Sequence, residues 1–305
     1  MYFFRHLNRI VLFFILLAMK AAADIPIRLV SHNIRYATTS PFTGEKPWAN
    51  RRPLLLAELK YNTLYNPESF ICLQEVLHAQ LMDIMSDLGG EWSYIGVGRD
   101  DGKEKGEYSP IIFRKGVWNV DSWETVWLSE TPDVPGKGWD AASIRIVTVG
   151  TFVHQASKKE VIGMCTHFDD QGVVSRRESA KLILKVVDKV TKPGNSSSSD
   201  RLPIFLGGDL NSEPSGEAFQ ILNARDSLLQ DVKELANYKY GDTSTFTGFQ
   251  DSTRKTLIDH VMVGKDNGNE TNWRIKGYAV LENKFEDGVY NSDHRAVVGD
   301  VILKI

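Results

Sequence analysis

The chain has 305 residues, 42% of them hydrophobic, with 36 basic and 39 acidic side chains for a formal net charge of −3. That length permits a large buried core, and an acidic balance without a basic stripe argues against a protein built to track long nucleic acid. Only Cys72 and Cys165 occur, each in an apolar stretch, which excludes a fold held by a disulfide framework; they read as two buried thiols or as one bond between neighbouring strands.

At the N-terminus, Arg5, His6 and Arg9 precede an apolar run from Ile10 to Met19, and Ala21, Ala22 and Ala23 supply the small residues that signal peptidase accepts. A run of ten apolar residues, rising ~1.5 Å each, spans about half of a ~30 Å hydrocarbon core. A cleaved secretory signal over 1–23 is therefore expected rather than a membrane anchor. Cleavage removes Arg5, Arg9 and Lys20 and leaves 33 basic against 39 acidic residues, a net charge of −6, on a single domain over 24–305. Asn195-Ser-Ser and Asn269-Glu-Thr are sequons for N-glycans in polar, loop-like surroundings, in keeping with a secretory route.

Strand-like and helical runs then alternate. Strands are expected over 27–33, 70–73, 110–114, 117–126, 144–153, 161–166, 202–206, 257–263, 273–281 and 296–303. Helices are expected over 51–61 and 76–88, from Ser175 to just before Pro193, and over 215–222. The third carries a capping box at Ser175 and Glu178 and an apolar stripe at Ala180, Ile183, Leu184 and Val187. Gly194 to Asp200 reads as a solvated loop. The tryptophans at 92, 118, 123, 127 and 273 suit packing on strands, whereas Trp139 follows the loop-like Pro135-Gly136-Lys137-Gly138. Many strands with helices between them, and no repeat, predict an α/β fold of two packed sheets flanked by helices.

Polar residues recur at the ends of these strands, where ligand sites in α/β folds gather. Asp209 and Asn211 face one way on an extended segment after Pro203 to Leu206; the first suits orientation of an attacking water, the second donation to a phosphoryl oxygen, and both types also make ordinary turns. Asp259 interrupts an apolar strand and calls for a partner, for which His294 in Ser292-Asp293-His294 is suited. Glu75 beside the amide oxygen of Asn33 offers hard oxygen ligands for Mg2+ or Mn2+; the bland alternative for Glu75 is an acid at a helix N-terminus. His167 is placed to donate to a phosphoryl oxygen. Tyr108 and Arg145 are candidates for phosphate contact through a hydroxyl and a guanidinium fork, and Asp169 and Asp170 read as loop acids.

In chain order, Asn33, Leu73-Gln74-Glu75, Thr166-His167, Gly208-Asp209-Leu210-Asn211, Ile258-Asp259-His260 and Ser292-Asp293-His294 resemble the endonuclease/exonuclease/phosphatase superfamily over almost the whole mature chain. Gly96 to Gly102, Gly106 to Pro110 and Trp127 to Pro132 look like a secreted branch common in bacteria and fungi. The resemblance implies the four-layer αββα sandwich of pancreatic-type deoxyribonuclease, with the site at one end of two mixed sheets. It also implies that Glu75 and Asn33 hold the metal and that Asp293 reaches it or a second one. Asp209 and Asn211 would position water and phosphoryl group, His294 paired with Asp259 would act as base or charge stabiliser, and His167 would stabilise the pentacoordinate state. His260 stands where relatives often carry Tyr or another residue and is given no catalytic role.

These readings converge on a secreted, Mg2+- or Mn2+-dependent hydrolase in which water attacks phosphorus in line, with a glycan, lipid or small organic phosphoester as substrate. A secreted nuclease is the second expectation, resting on family precedent. An inactive scaffold that binds phosphorylated ligands is the third. No stable membrane insertion is expected after signal cleavage.

Overall fold

Residues 24–192, 201–250, 256–265 and 272–305 are described by the computed structural model. The expected signal over 1–23, the loop from Gly194 to Asp200 and both sequons at Asn195 and Asn269 lie outside them. In chain order the elements are β1 (Ile25–Asn33), α1 (Trp48–Thr63), β2 (Phe70–Gln74), α2 (His78–Leu88), β3 (Trp92–Ile95), β4 (Ile111–Arg114), β5 (Trp118–Trp127), β6 (Ile146–His154) and β7 (Glu160–His167). They continue with α3 (Val173–Thr191), β8 (Ile204–Asp209), α4 (Glu217–Asn223), β9 (Leu229–Asp231), α5 (Val232–Leu235), β10 (Tyr238–Gly241), β11 (Asp259–Gly264), β12 (Trp273–Val280) and β13 (Val297–Leu303). Every strand expected from the sequence is present, with ends shifted by at most three residues. The short β3, β9, β10 and α5 were not expected, because a few residues carry too little periodicity to register.

Two mixed sheets result, one ordered β10-β12-β13-β1-β2-β4-β3 and the other β5-β6-β7-β8-β11-β9. Strand alternation decides what each side chain meets. On β1, Ile25, Ile27 and Leu29 enter the core between the sheets while Val30 turns to the α1 and α2 layer; on β8, Phe205 enters that core while Ile204 and Leu206 meet α3 and α4. Strands buried on both faces read as near-continuous apolar runs for this reason, and helices on both outer faces complete four αββα layers. Phe70 anchors the middle, its ring centroid 4.8 Å from those of Trp118, Phe152 and Phe205, which belong to the opposite sheet. The sheets approach closely at Gly207, where a Cβ would lie 2.9 Å from Cys72.

Cys72 and Cys165 are both free and buried. They stand in the apolar core where it meets a polar layer, in which the Gln74 amide donates to Ser31 Oγ and faces the Cys165 sulfur at 3.5 Å. Beyond that layer, Asn33, His167, Asp209 and Asp259 stand at odd-numbered positions that continue the inward-facing series of β1, β7, β8 and β11. The inter-sheet core thus gives way, on the same strand faces, to a cluster of polar side chains.

The N-terminus of α3 differs from expectation. Ser175 lies inside the helix, no side chain of the N-cap Gly172 is available, and Ser175 Oγ is buried without a hydrogen-bond partner. Asp140, remote in sequence, caps instead, accepting from the Val174 and Ser175 N–H groups at 3.1 and 2.6 Å. A local capping box lost to a tertiary one.

Candidate active site

Asp209 ends β8 opposite Asp259 on antiparallel β11 and opposite His167 on parallel β7. On β11 the next residue, His260, pairs with Gly208 and faces the helices, where its ring packs 4.6 Å from Phe219 and its Nε2 meets the Ser212 carbonyl. Burial lowers its pKa to about 4, so it is a neutral packing group.

Asp259 Oδ2 holds His294 Nδ1 at 2.8 Å, which leaves His294 Nε2 facing Asp209 Oδ2 at 3.7 Å. Burial opposes charge on His294, but Asp259 and Asp209 together carry its pKa well above the ordinary value. Across Asp209, His167 Nε2 lies 3.5 Å from the same Oδ2. Here burial and then Arg145 and Arg99 push the pKa well below the ordinary value. One carboxylate oxygen therefore lies between a charged and a neutral imidazole. Burial and then Asp259 raise Asp209 to about 7, against lowering by His294.

Asn33 ties these groups together. The Arg35 N–H donates to Asn33 Oδ1 at 3.0 Å, so the amide presents its nitrogen to the site, 3.0 Å from Glu75 Oε1 and 3.0 Å from Asp209 Oδ2. In this arrangement Asn33 donates to the carboxylates while its oxygen accepts from Arg35. Asn211 Nδ2 donates to the Phe168 carbonyl at 3.0 Å and faces His167 Nε2 at 3.2 Å. His167 accordingly orients Asn211 in this arrangement. Arg35, Glu75 and Asn211 hold positive φ of 56°, 60° and 44°, a backbone state that costs roughly 1 kcal/mol or more for side chains other than glycine.

A cleft of about 720 Å3 opens above these residues, lined by Glu75, His167, Asp209, Asn211, Asp293 and His294 among others. Arg145 also lines it, with its guanidinium divided between Asp169 at 3.2 Å and Asp170 at 2.8 Å. Tyr108 does not. Its hydroxyl donates to the Lys103 carbonyl at 2.8 Å, meets His78 Nδ1 at 2.9 Å, and belongs to a separate hollow, so phosphate contact by Tyr108 is corrected to a structural role. Asp169 is likewise more than a loop acid, accepting from the Ala142, Ser143, Gln171 and Gly172 N–H groups.

The sequence reading missed Arg35, Arg99, Glu107, Phe42 and Phe246, all of which line the cleft. Arg99 grips Glu107 with a two-pronged contact at 2.7 and 2.9 Å. For Arg99 and Glu107 the only sequence signal was the glycine-rich segment Gly98 to Gly106, which holds the first and directly precedes the second.

No family model matches this chain. Among solved structures, an endonuclease/exonuclease/phosphatase family protein from Bacteroides thetaiotaomicron is 29% identical and superposes with a TM-score of 0.81, covering 93% of this chain and 100% of its own. A mannosyl-6-phosphatase of the same organism is 30% identical over 90% of this chain and 99% of its own, with a TM-score of 0.80. The chain belongs to the endonuclease/exonuclease/phosphatase family. A probable RNA exonuclease of Schizosaccharomyces pombe is 26% identical over 241 residues, 73% of this chain, and the chain spans 44% of that relative's length.

Enzymes of the endonuclease/exonuclease/phosphatase family generally require a divalent metal, and the donor set here suits one. Burial raises Asp293 to about 6, with His294 lowering it and the nearby Glu75 carboxylate raising it. Two carboxylates lining one cleft are a hard-oxygen arrangement suited to Mg2+ or Mn2+. Asp209, Asp259 and His294 form a second group with ligand atoms within 4.8 Å of one another. In that group the Asp259–His294 contact is already made, whereas Glu75 and Asp293 offer carboxylate oxygens alone, which suits a partly hydrated hard cation better.

Proposed function

We propose that this chain is a divalent-metal-dependent hydrolase of small phosphate esters, most closely suited to a phosphorylated sugar or similar polyol. The observation that carries the reading is Asp209 between two imidazoles of opposite charge bias. Asp209, titrating near neutrality, accepts the proton of the attacking water. His294, kept charged by Asp259, faces the negative charge that builds on the phosphoryl oxygens, and Asn211 donates to one of them once substrate replaces its contact with His167. Glu75 and Asp293 would hold the cation, whose chemistry is to polarise the phosphoryl group and offset its charge.

The cleft supports a small substrate. Its arginines are each engaged by carboxylates, Arg35 by Glu45 and Glu75, Arg99 by Glu107, and Arg145 by Asp169 and Asp170. No lysine lines it among the described residues, and a chain of phosphates finds no basic track. The mannosyl-6-phosphatase relative favours a sugar phosphate; the S. pombe relative, by its name, favours RNA as the second reading.

A panel of phosphoesters with Mg2+ or Mn2+, an EDTA arm and an Asp209→Ala control tests the proposal. Turnover should vanish with EDTA, and the substitution should cost about 10²–10⁴-fold in rate. Failure on every small ester together with rapid digestion of DNA or RNA would sink the small-substrate reading. Entry into the secretory pathway is proposed on the N-terminal pattern alone; a reporter fused after Ala23 that stays in the cytosol would refute it.

A further inference from the structure

Four consecutive main-chain carbonyls, Asn291 to His294, lie in the segment before β13, and each is held by a donor from elsewhere in the chain. The Arg51 guanidinium donates to Asn291 O at 2.9 Å, and the Asn283 amide to Ser292 O at 2.8 Å. Asp293 O takes the Thr247 N–H at 2.7 Å and the Thr247 hydroxyl at 2.9 Å. His294 O takes the Asn283 amide at 3.0 Å and His32 Nε2 at 3.1 Å.

His32 is a costly choice for that last contact. It sits on β1 between Ser31 and Asn33, fully buried, where an apolar side chain would pack without penalty. Because a carbonyl only accepts, Nε2 carries the proton. The other nitrogen, Nδ1, lies 3.0 Å from Glu58 Oε1 on α1, and neither atom makes a hydrogen bond among the described residues. The two atoms stand at contact distance in an alignment that falls short of a hydrogen bond. Glu58 is anchored through its second oxygen, which accepts from the Asn291 amide at 3.1 Å. A buried acid, a buried histidine and the backbone of His294 thus form one connected chain from the helix layer to the site.

We infer that His32, oriented by Glu58, is a positioning residue for the His294 imidazole. It grips the His294 carbonyl from the helix side and so fixes the ring between Asp259 and Asp209. The kinetic part of this inference rests on the proposed hydrolase activity; the spectroscopic part does not.

Glutamine places an N–H near the position of Nε2 in histidine, whereas asparagine places one near Nδ1. His32→Gln and His32→Asn therefore separate the grip on the carbonyl from the contact with Glu58. Proton NMR of the full chain should show the low-field Nδ1–H of His294 in the wild type and in His32→Gln, and its loss to solvent exchange in His32→Asn. On a substrate found in the phosphoester panel, His32→Asn should lower kcat at least about tenfold with KM within about twofold, and His32→Gln should restore most of it. If the asparagine variant fails to fold in thermal unfolding, Glu58→Ala replaces it, with the same loss expected. Equal resonances and equal kcat in the two variants would overturn the inference. A wild type inert on every ester would defeat the hydrolase reading while leaving the NMR comparison to decide the positioning.

Discussion

At the scale of single residues, the surroundings of His294 and His167 assign them different work, although both are buried histidines near one carboxylate. Asp259 supports charge on His294, so removing that support has a defined sign. Asp259→Asn should lower the His294 pKa, moving the alkaline limb of the pH–rate profile to lower pH and reducing kcat by about 10²-fold or more. An unmoved alkaline limb would show that His294 does not act as a cation. Asp209, Asp259 and His294 were legible in the sequence because each breaks an apolar strand or stands at its end, where a polar group needs a reason. The direction of the Asn33 amide was not, since it depends on the Arg35 N–H and a positive φ two residues away. Glu107 and His32 were missed for a related reason: their partners, Arg99 and Glu58, become neighbours only through the fold.

At the scale of elements, the turn between β7 and α3 is organised by one carboxylate. Burial opposes charge on Asp169, yet N–H groups of Gly172, Ala142 and Ser143 and the Arg145 guanidinium hold its pKa down at about 2. Its folded pKa lies below the unfolded value of 3.8, so its contribution, roughly 2–3 kcal/mol, is complete above about pH 4–5 and is lost as pH falls towards 2. Asp169→Asn should destabilise the wild-type fold at pH 7 by about 3 kcal/mol, since Arg145 loses a buried partner, and should flatten the acid limb of stability. Urea unfolding at pH 7 and pH 3 measures both. Sequence pattern located α3 and its apolar stripe correctly, and misplaced only its first turn. The stripe is a property of the helix itself, whereas the cap at Asp140 comes from a loop more than thirty residues earlier.

At the scale of the whole molecule, stability answers to pH from both sides. Burial raises Asp231, at the edge of the second sheet, to about 7, above its unfolded 3.8, so its contribution is present at low pH and lost as pH rises through neutrality. Asp231→Asn should match the wild type near pH 4 and exceed it at pH 8 by roughly 1–3 kcal/mol. Equal stabilities at pH 8 would show that water reaches the group. Cation binding should act in the same direction on the whole fold, because Glu75 and Asp293 repel one another without it: millimolar Mg2+ should raise the wild-type Tm, and Glu75→Gln should abolish the rise. A Tm indifferent to Mg2+ would count against cation binding at this pair. The αββα architecture itself was readable early, since strands buried on both faces and helices between them leave few alternatives. Finally, the pairing of Asp259 with Asp209 across β11 and β8 bears on how this protein can change over time. Deleting or inserting one residue along β11 would swap the faces of Asp259 and His260, sending the acid to the helices and a neutral ring to the cleft. Its history at this strand is therefore confined to exchanges of side chains in place, and insertions that diversify the protein must fall in the connections beyond the sheets.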